Sequence, residues 1–185
     1  MNNKKRPRIA IVADIFTTFS LSPDADLIQI TPTDWQWKLR FFKPDFLLVE
    51  SAWRGYKNSW QGKIASYGHT SPTKPELSKL LDFCHKRKIT TIFWNKEDPF
   101  HFDRFADAAA MFDVVYTTDA NSLDRYRALP HHSFQHVGVL MFAAQPRWFH
   151  QPVRDERKSG VVFLGGYYGN ELVERSKAQE EILYA

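Results

Sequence analysis

Short apolar runs alternate along this chain with segments whose apolar residues recur every three or four positions. That alternation predicts a parallel α/β sheet with crossover helices, because each buried strand needs a return element to bring the chain back to the same edge. The first strand is expected in RIAIVAD, residues 8–14, directly after a charged tail. DLIQI, residues 26–30, gives a second short strand that stops at Thr31-Pro32. Between Thr33 and Lys43 the residues Trp35, Leu39 and Phe42 follow helical spacing, and Pro44 ends that helix. DFLLVE, residues 45–50, supplies the third strand.

From Ala52 to Lys74 the chain is rich in Gly, Ser, Tyr and Trp and has no sustained period. Loops this long are uncommon as inert connections, so a functional loop with a short helix around Trp60–Tyr67 is expected. Thr73 and Glu76 form a possible capping box, with Pro75 tolerated in the first turn. Leu77, Leu80, Leu81 and Cys84 then occupy one helix face, while Lys86, Arg87 and Lys88 complement the helix carboxyl end.

ITTIFWN is the fourth strand, and a helix follows from Phe102 to Phe112 with Phe102, Phe105, Ala106 and Ala109 inward. DVVYTT is the fifth strand, and Asn121–Leu129 a short helix capped by Asp119 or Asn121. FQHVGVLMF gives the sixth strand. Gln145–Ser159, polar and holding Pro146 and Pro152, reads as a linker. VVFLGG restarts the strand signal and Glu171–Tyr184 is helical in pattern. The expected organisation is a basic tail (1–8), a Rossmann-like domain (9–144), a linker (145–159) and the first strand and helix of a second domain (160–185). The last helix carries no stop signal, and one strand with one helix cannot bury a core. A missing second half, or a partner that supplies it, is therefore expected.

Composition narrows the class. The formal charge of +4 is matched by Lys4, Lys5, Arg6 and Arg8 alone, so the remainder is near neutral and no nucleic-acid partner is expected. Cys84 is the single cysteine, which fits a reducing compartment. The apolar run after the basic tail is too short for a signal peptide, and no stretch approaches the length of a membrane helix. The expectation is a cytoplasmic protein with no transmembrane segment.

Ligands of open parallel sheets bind outside the carboxyl ends of the strands. That rule selects Asp14 and Phe16 after strand one, and Glu50, Ser51, Trp53, Arg54 and Gly55 after strand three. It also selects Asn95, Lys96, Glu97, Asp98 and His101 after strand four, and Thr118 and Asp119 after strand five. Each has a plain structural alternative. Asp98 can cap the following helix, and Trp53 and Trp60 can fill core beneath the long loop. Glu97 is either a general base or the partner of Lys96 or Arg54, since a carboxylate at a strand end needs a partner or water. His101 can shuttle protons near neutral pH or simply sit in a surface loop. His131, His132 and His136 follow Pro130 and precede a strand, so helical ligand spacing does not apply and no metal is expected. No phosphate-loop lysine, GxGxxG or GxSxG motif is present, and no cofactor is expected. GGYYGN is glycine-rich and leads into a helix carrying Arg175; such a turn can offer backbone N–H groups to a diphosphate.

FWNKEDPFHFDRF, followed by FDVVYTTD and DRYRAL, resembles the CgeB-like glycosyltransferases, a family with spore-maturation and minor teichoic-acid or capsule transferases. VESAWRG, with a later tryptophan and YG, is similar to the amino-terminal region of that family, and VVFLGGYYGN with ERSKAQEEIL to the start of its carboxy-terminal domain. The likeness runs from about Phe46 onward. It implies a GT-B architecture, in which two Rossmann-like domains face each other across a cleft. The partners implied are a nucleotide-sugar donor and a glycan or polyol-phosphate acceptor of the cell-wall or spore-surface type. The resemblance names no base; if the enzyme inverts configuration, Glu97, Asp98 and His101 are the candidates to deprotonate the acceptor hydroxyl, and if it retains configuration they position the acceptor. Carried over by position, Ser51, Trp53, Arg54 and Gly55 and Asn95, Glu97 and Asp98 face the cleft on the acceptor side, joined by Asp14, Thr118 and Asp119 from the strand-end rule. Gly165, Gly166 and Tyr167 open the donor side, joined by Arg175 of the following helix. Nearly all of a donor domain is absent, so turnover by this chain alone is not expected. The rival reading is a non-catalytic glycan- or protein-binding module that uses the Trp53–Trp60 loop.

Overall fold

A computed structural model describes residues 5–67, 74–149, 165–167 and 169–184. The chain divides into two compact units, Met1–His150 and Gln151–Ala185. The first unit runs β1 (Arg8–Val12), α1 (Ile15–Leu21), β2 (Asp26–Gln29), α2 (Trp35–Phe42), β3 (Phe46–Glu50) and α3 (Pro75–Lys86). It continues through β4 (Thr90–Asn95), α4 (Phe102–Ala109), β5 (Val114–Thr117), α5 (Leu123–Arg127) and β6 (His136–Val139). All six strands are parallel, in the order β2-β1-β3-β4-β5-β6. The expected Rossmann-like α/β class is what the chain adopts.

The period-two alternation of the strands divides the core between two faces. Ala10, Val12, Leu47, Val49, Phe93 and Val115 point to one face, where they meet Trp35 and Leu39 of α2, Leu77, Leu80 and Leu81 of α3, Phe105 of α4 and Tyr126 of α5. Ile9, Ile11 and Leu48 point to the other, where the smaller cluster includes Leu21 of α1 and half-buried Phe46, Ile92 and Trp94. Four helices thus cover one face and a single helix the other. The strand order explains this, since only the β1–β2 connection runs opposite to the rest and right-handed crossovers then put it on the opposite side.

Cys84 is fully buried on the α3 face turned to the sheet. Burial, with a smaller contribution from the charge of Asp113, pushes its thiol pKa up to about 12. The thiolate is the reactive form. Alkylation by iodoacetamide should therefore proceed only as fast as the fold opens, at a rate that rises with urea in step with global unfolding. Rapid labelling in native buffer would contradict this packing.

Three local expectations are corrected, and one helix, α1, is added. α1 carried no recognisable signal, because its large apolar residues Ile15, Phe16 and Phe19 are exposed. The helix expected around Trp60–Tyr67 is absent from those described residues; a 3-10 turn at Tyr56–Asn58 and further turns take its place. The reason is Trp60, which is 0% exposed and donates its indole N–H to the Ile30 carbonyl at 2.9 Å, pulling the loop inward. β6 stops at Val139 rather than continuing to Phe142, because Leu140–Phe142 peel away from β5 after one last bond from Leu140 N to Thr117 O. The start of the expected linker, residues 145–149, belongs to the first unit. Buried Gln145 donates to Ser20 O and Asp24 Oδ2, both at 2.8 Å, and so fastens this stretch to α1.

The capping residue Thr73 and the strand residues 161–164 lie outside the described residues. Lys74 instead precedes α3 and donates to Ser66 Oγ at 2.9 Å. Burial lowers its pKa, against an opposing pull from Asp107. In the second unit a 3-10 turn (Gly169–Glu171) leads to α6 (Val173–Leu183). Among the described residues no helix is long and apolar enough to cross a membrane.

Candidate functional site

Parallel strands put their carboxyl ends on one edge, and connections that leave neighbouring strands toward opposite faces open a crevice there. In this sheet the neighbours are β1 and β3, so the crevice lies between Asp14 and the Glu50–Gly55 segment. Glu50 closes an apolar strand and is 0% exposed. Its Oε1 accepts from the Asp14 backbone N–H at 2.6 Å. Lys96 Nζ lies 2.7 Å from Oε2 as an ion pair, off the line of a hydrogen bond. The same ammonium donates to Thr17 Oγ1 at 2.7 Å. Buried charges need such partners. One ion pair thereby joins β3, α1 and the loop after β4.

The β3 and β4 loops are tied to each other. Lys96 N donates to Ser51 Oγ at 2.8 Å, and Ser51 N to Trp94 O at 3.0 Å. Asp14 Oδ1 reaches across to accept from Gly55 N at 3.1 Å. Gly55 has φ +66° and ψ −175°, and a Cβ there would sit 3.0 Å from the Trp60 Cβ. Only glycine suits that conformation and that approach. Trp53 is half-buried and stands edge-on to His101 and to Phe105, with ring centroids 5.0 Å apart in each case. Arg54 is exposed beside it.

Beneath the rim lies a second polar knot. Asn95, 0% exposed, donates from Nδ2 to Asp98 Oδ1 (2.7 Å) and to the Tyr126 hydroxyl (2.8 Å). Asp98 Oδ2 accepts from Thr117 Oγ1 (2.6 Å) and from the Tyr126 hydroxyl (2.8 Å). Burial raises the Asp98 pKa; the two hydroxyls and the charge of Arg125 act the other way, and Asp119 adds to the rise. Burial likewise raises the Tyr126 pKa, with Asp98 adding to it. Both oxygens of Asp98 are thus taken by protein donors. Asn95 also turns the chain outward, since its Oδ1 accepts from Glu97 N at 3.1 Å.

Glu97 and His101 are the half-exposed titratable pair on this rim. Their side chains approach to 4.0 Å across one turn, and His101 N donates to Glu97 O at 2.9 Å. The imidazole is flanked edge-on by Trp53 and by exposed Phe100. Thr118 N donates to Asn95 O at 3.2 Å, and Asp119 caps the next turn through Asn121 N (3.3 Å) and Ser122 Oγ (2.7 Å). The structure therefore brings Asp14, Ser51, Trp53, Gly55, Asn95, Glu97, Asp98 and His101 into one continuous network, with Thr118 and Asp119 at its β5 end. Among the described residues no group of three His, Cys, Asp or Glu side chains is placed to hold a metal ion, His131, His132 and His136 included.

The donor-side candidates lie in the second unit. Gly165 and Gly166 are exposed, and the Gly166 carbonyl accepts from Gln179 Nε2 at 3.2 Å. The Tyr167 hydroxyl bonds to Glu180, which raises its pKa. This turn therefore lies beside the middle of α6 and not at its amino end, because the helix starts only at Val173. Arg175 is exposed in the first turn of that helix.

The sequence places Glu50 and Lys96 on the rim and offers Lys96 as a partner for Glu97, but Lys96 pairs with Glu50 and Glu97 approaches His101; Thr17, Thr117 and Tyr126 are not among the sequence candidates. A signal for the first pair existed: a carboxylate ending an apolar strand requires a cation, and Lys96 lies just past the strand paired with β3. Tyr126 had no such signal, being one aromatic in a short helix. No protein-family model matches the chain, and neither a curated protein nor a solved structure is significantly similar to it.

Proposed function

We propose that this chain is the acceptor-side half of a cytoplasmic GT-B glycosyltransferase, one that transfers sugar from a nucleotide donor to a cell-wall or spore-surface glycan or polyol-phosphate precursor. The observation that carries the reading is the single network at the carboxyl edge of the sheet. It sets an aromatic ring (Trp53), an exposed cation (Arg54) and a titratable pair (Glu97, His101) side by side on buried supports. Aromatic faces stack on sugar rings, and a guanidinium suits a phosphate-bearing acceptor. Asn95–His101, the middle of the FWNKEDPFHFDRF segment that carries the resemblance, lies along this rim, while Phe93, Phe102 and Phe105 pack in the core.

In an inverting reaction Glu97 or His101 takes the proton of the acceptor hydroxyl. That oxygen attacks the anomeric carbon, the bond from carbon to diphosphate breaks, and the nucleotide diphosphate leaves with the electron pair. Basic groups and helix termini of a donor domain stabilise that leaving group. Asp98, saturated by its three donors, positions the loop instead of touching substrate. The binding-module alternative loses Trp60, whose side chain is core, and keeps Trp53 and exposed Tyr67.

Isothermal titration of this chain tests the reading. A glycerol-phosphate trimer should bind, and binding should weaken about tenfold in Trp53→Ala. Uridine diphosphate should bind only when a donor domain is attached. Tight binding of the nucleotide to residues 1–150 alone, or binding of neither ligand in any form of the protein, would overturn it.

A further inference from the structure

The sheet face that carries only α1 holds a cleft of about 310 Å³. Phe16, Thr17, Ser20 and Leu21 of α1 form one wall, Leu48 and Trp94 the floor, and the extended segment Leu140–Pro146 the other wall. That segment spans the cleft as a strap. Trp94 Nε1 holds it at Leu140 O (2.9 Å), and Gln145 fastens it to α1. The lining is mainly apolar, and all-parallel sheets ordinarily have both faces covered. An extended strap covers less area than a helix, which leaves the space beneath it.

The cleft is polarised along its length. At one end Lys96 lines the cleft with an ammonium that is 15% exposed, ion-paired to Glu50 and donating to Thr17, so that it has donor capacity beyond that one hydrogen bond. At the other end stands the Asp24 carboxylate, which accepts from Gln145. A ligand with an oxygen acceptor at its head therefore has one preferred orientation, head to Lys96 and away from Asp24. A cleft of about 310 Å³ lies at the small end of ligand pockets, and its apolar floor beneath an extended strap suits a slender chain.

We propose that this cleft binds a single aliphatic chain with an oxygen-acceptor head, such as a medium-chain carboxylate, with the chain along Leu48 and Trp94 and the head at Lys96. The cleft shares Lys96 with the rim, but its ligand and its test do not depend on the sugar-transfer reading.

Titration calorimetry with decanoate, decan-1-ol and decylamine tests the proposal. Decanoate and decan-1-ol should bind at one site, and decylamine about tenfold more weakly because its cation meets Lys96. Ser20→Phe and, independently, Ala144→Phe fill the cleft from opposite walls and should each abolish decanoate binding. Intermolecular nuclear Overhauser effects from decanoate methylenes to Trp94 and Leu48 locate the chain without any substitution. Absence of decanoate binding, equal affinity for decylamine, or Overhauser contacts elsewhere would overturn it. Co-sedimentation with phosphatidylcholine vesicles in the absence of decanoate uptake would equally overturn it, since the face would then dock on a bilayer.

Discussion

Lys96→Met should destabilise the fold by about 3–5 kcal/mol, the cost of leaving a buried carboxylate without its cation. Glu50 is fully buried, and its other oxygen is already committed to the Asp14 N–H. Methionine keeps the apolar stem of lysine, so lost packing contributes little and the effect reports the charge. Pairing it with Glu50→Gln removes the orphaned charge, and the double variant should recover more than half of the loss. That non-additivity is the signature of a coupled pair. Urea unfolding followed by circular dichroism measures all three variants. Additive effects would mean that the two groups do not act as a pair.

Asp98→Ala ranks second, at about 3 kcal/mol, because it strips a partner from three buried donors on Asn95, Thr117 and Tyr126. Asp98→Asn is the more informative substitution, since it keeps the shape and removes the titration. Burial raises the Asp98 pKa, so the folded protein holds that proton more tightly than the unfolded chain does. Its favourable contribution is therefore fully present below the unfolded carboxylate pKa and is lost as pH rises through the raised folded value. The destabilisation caused by Asp98→Asn should accordingly be larger near about pH 4 than near about pH 7. The opposite slope would mean that the hydroxyl donors outweigh burial and hold the carboxyl ionised.

The strands were legible because buried parallel strands are continuous apolar runs, as in RIAIV and FLLVE, and α3 because Leu77, Leu80, Leu81 and Cys84 form a clean stripe. α1 was not, since its large apolar residues Ile15, Phe16 and Phe19 stay exposed, which inverts the pattern on which such reading depends. The rule that ligands sit at strand ends placed Asp14, Glu50, Asn95 and Glu97 together correctly. It could not say which of them the fold consumes. Asp98 and Asn95 turned out to be internally satisfied, and Trp60 to be core, because those outcomes depend on distances between segments far apart in sequence. Of the strap, the apolar Leu140–Phe142 reads as the end of strand six and only Gln145 and Pro146 as linker, and the residue that docks it, Gln145, looks like any surface amide.

The central claim is that the carboxyl edge of the sheet, between the β1, β3 and β4 loops, is where an acceptor sugar or polyol phosphate is held. Amide shift mapping on the ¹⁵N-labelled chain with a glycerol-phosphate trimer tests it most directly. The largest shifts should fall on Asp14, Trp53, Gly55, Lys96, Glu97 and His101, with the Trp53 indole N–H among them. Saturable shifts confined to the opposite edge, at residues such as Arg8, Asp45 and Thr90, would contradict it.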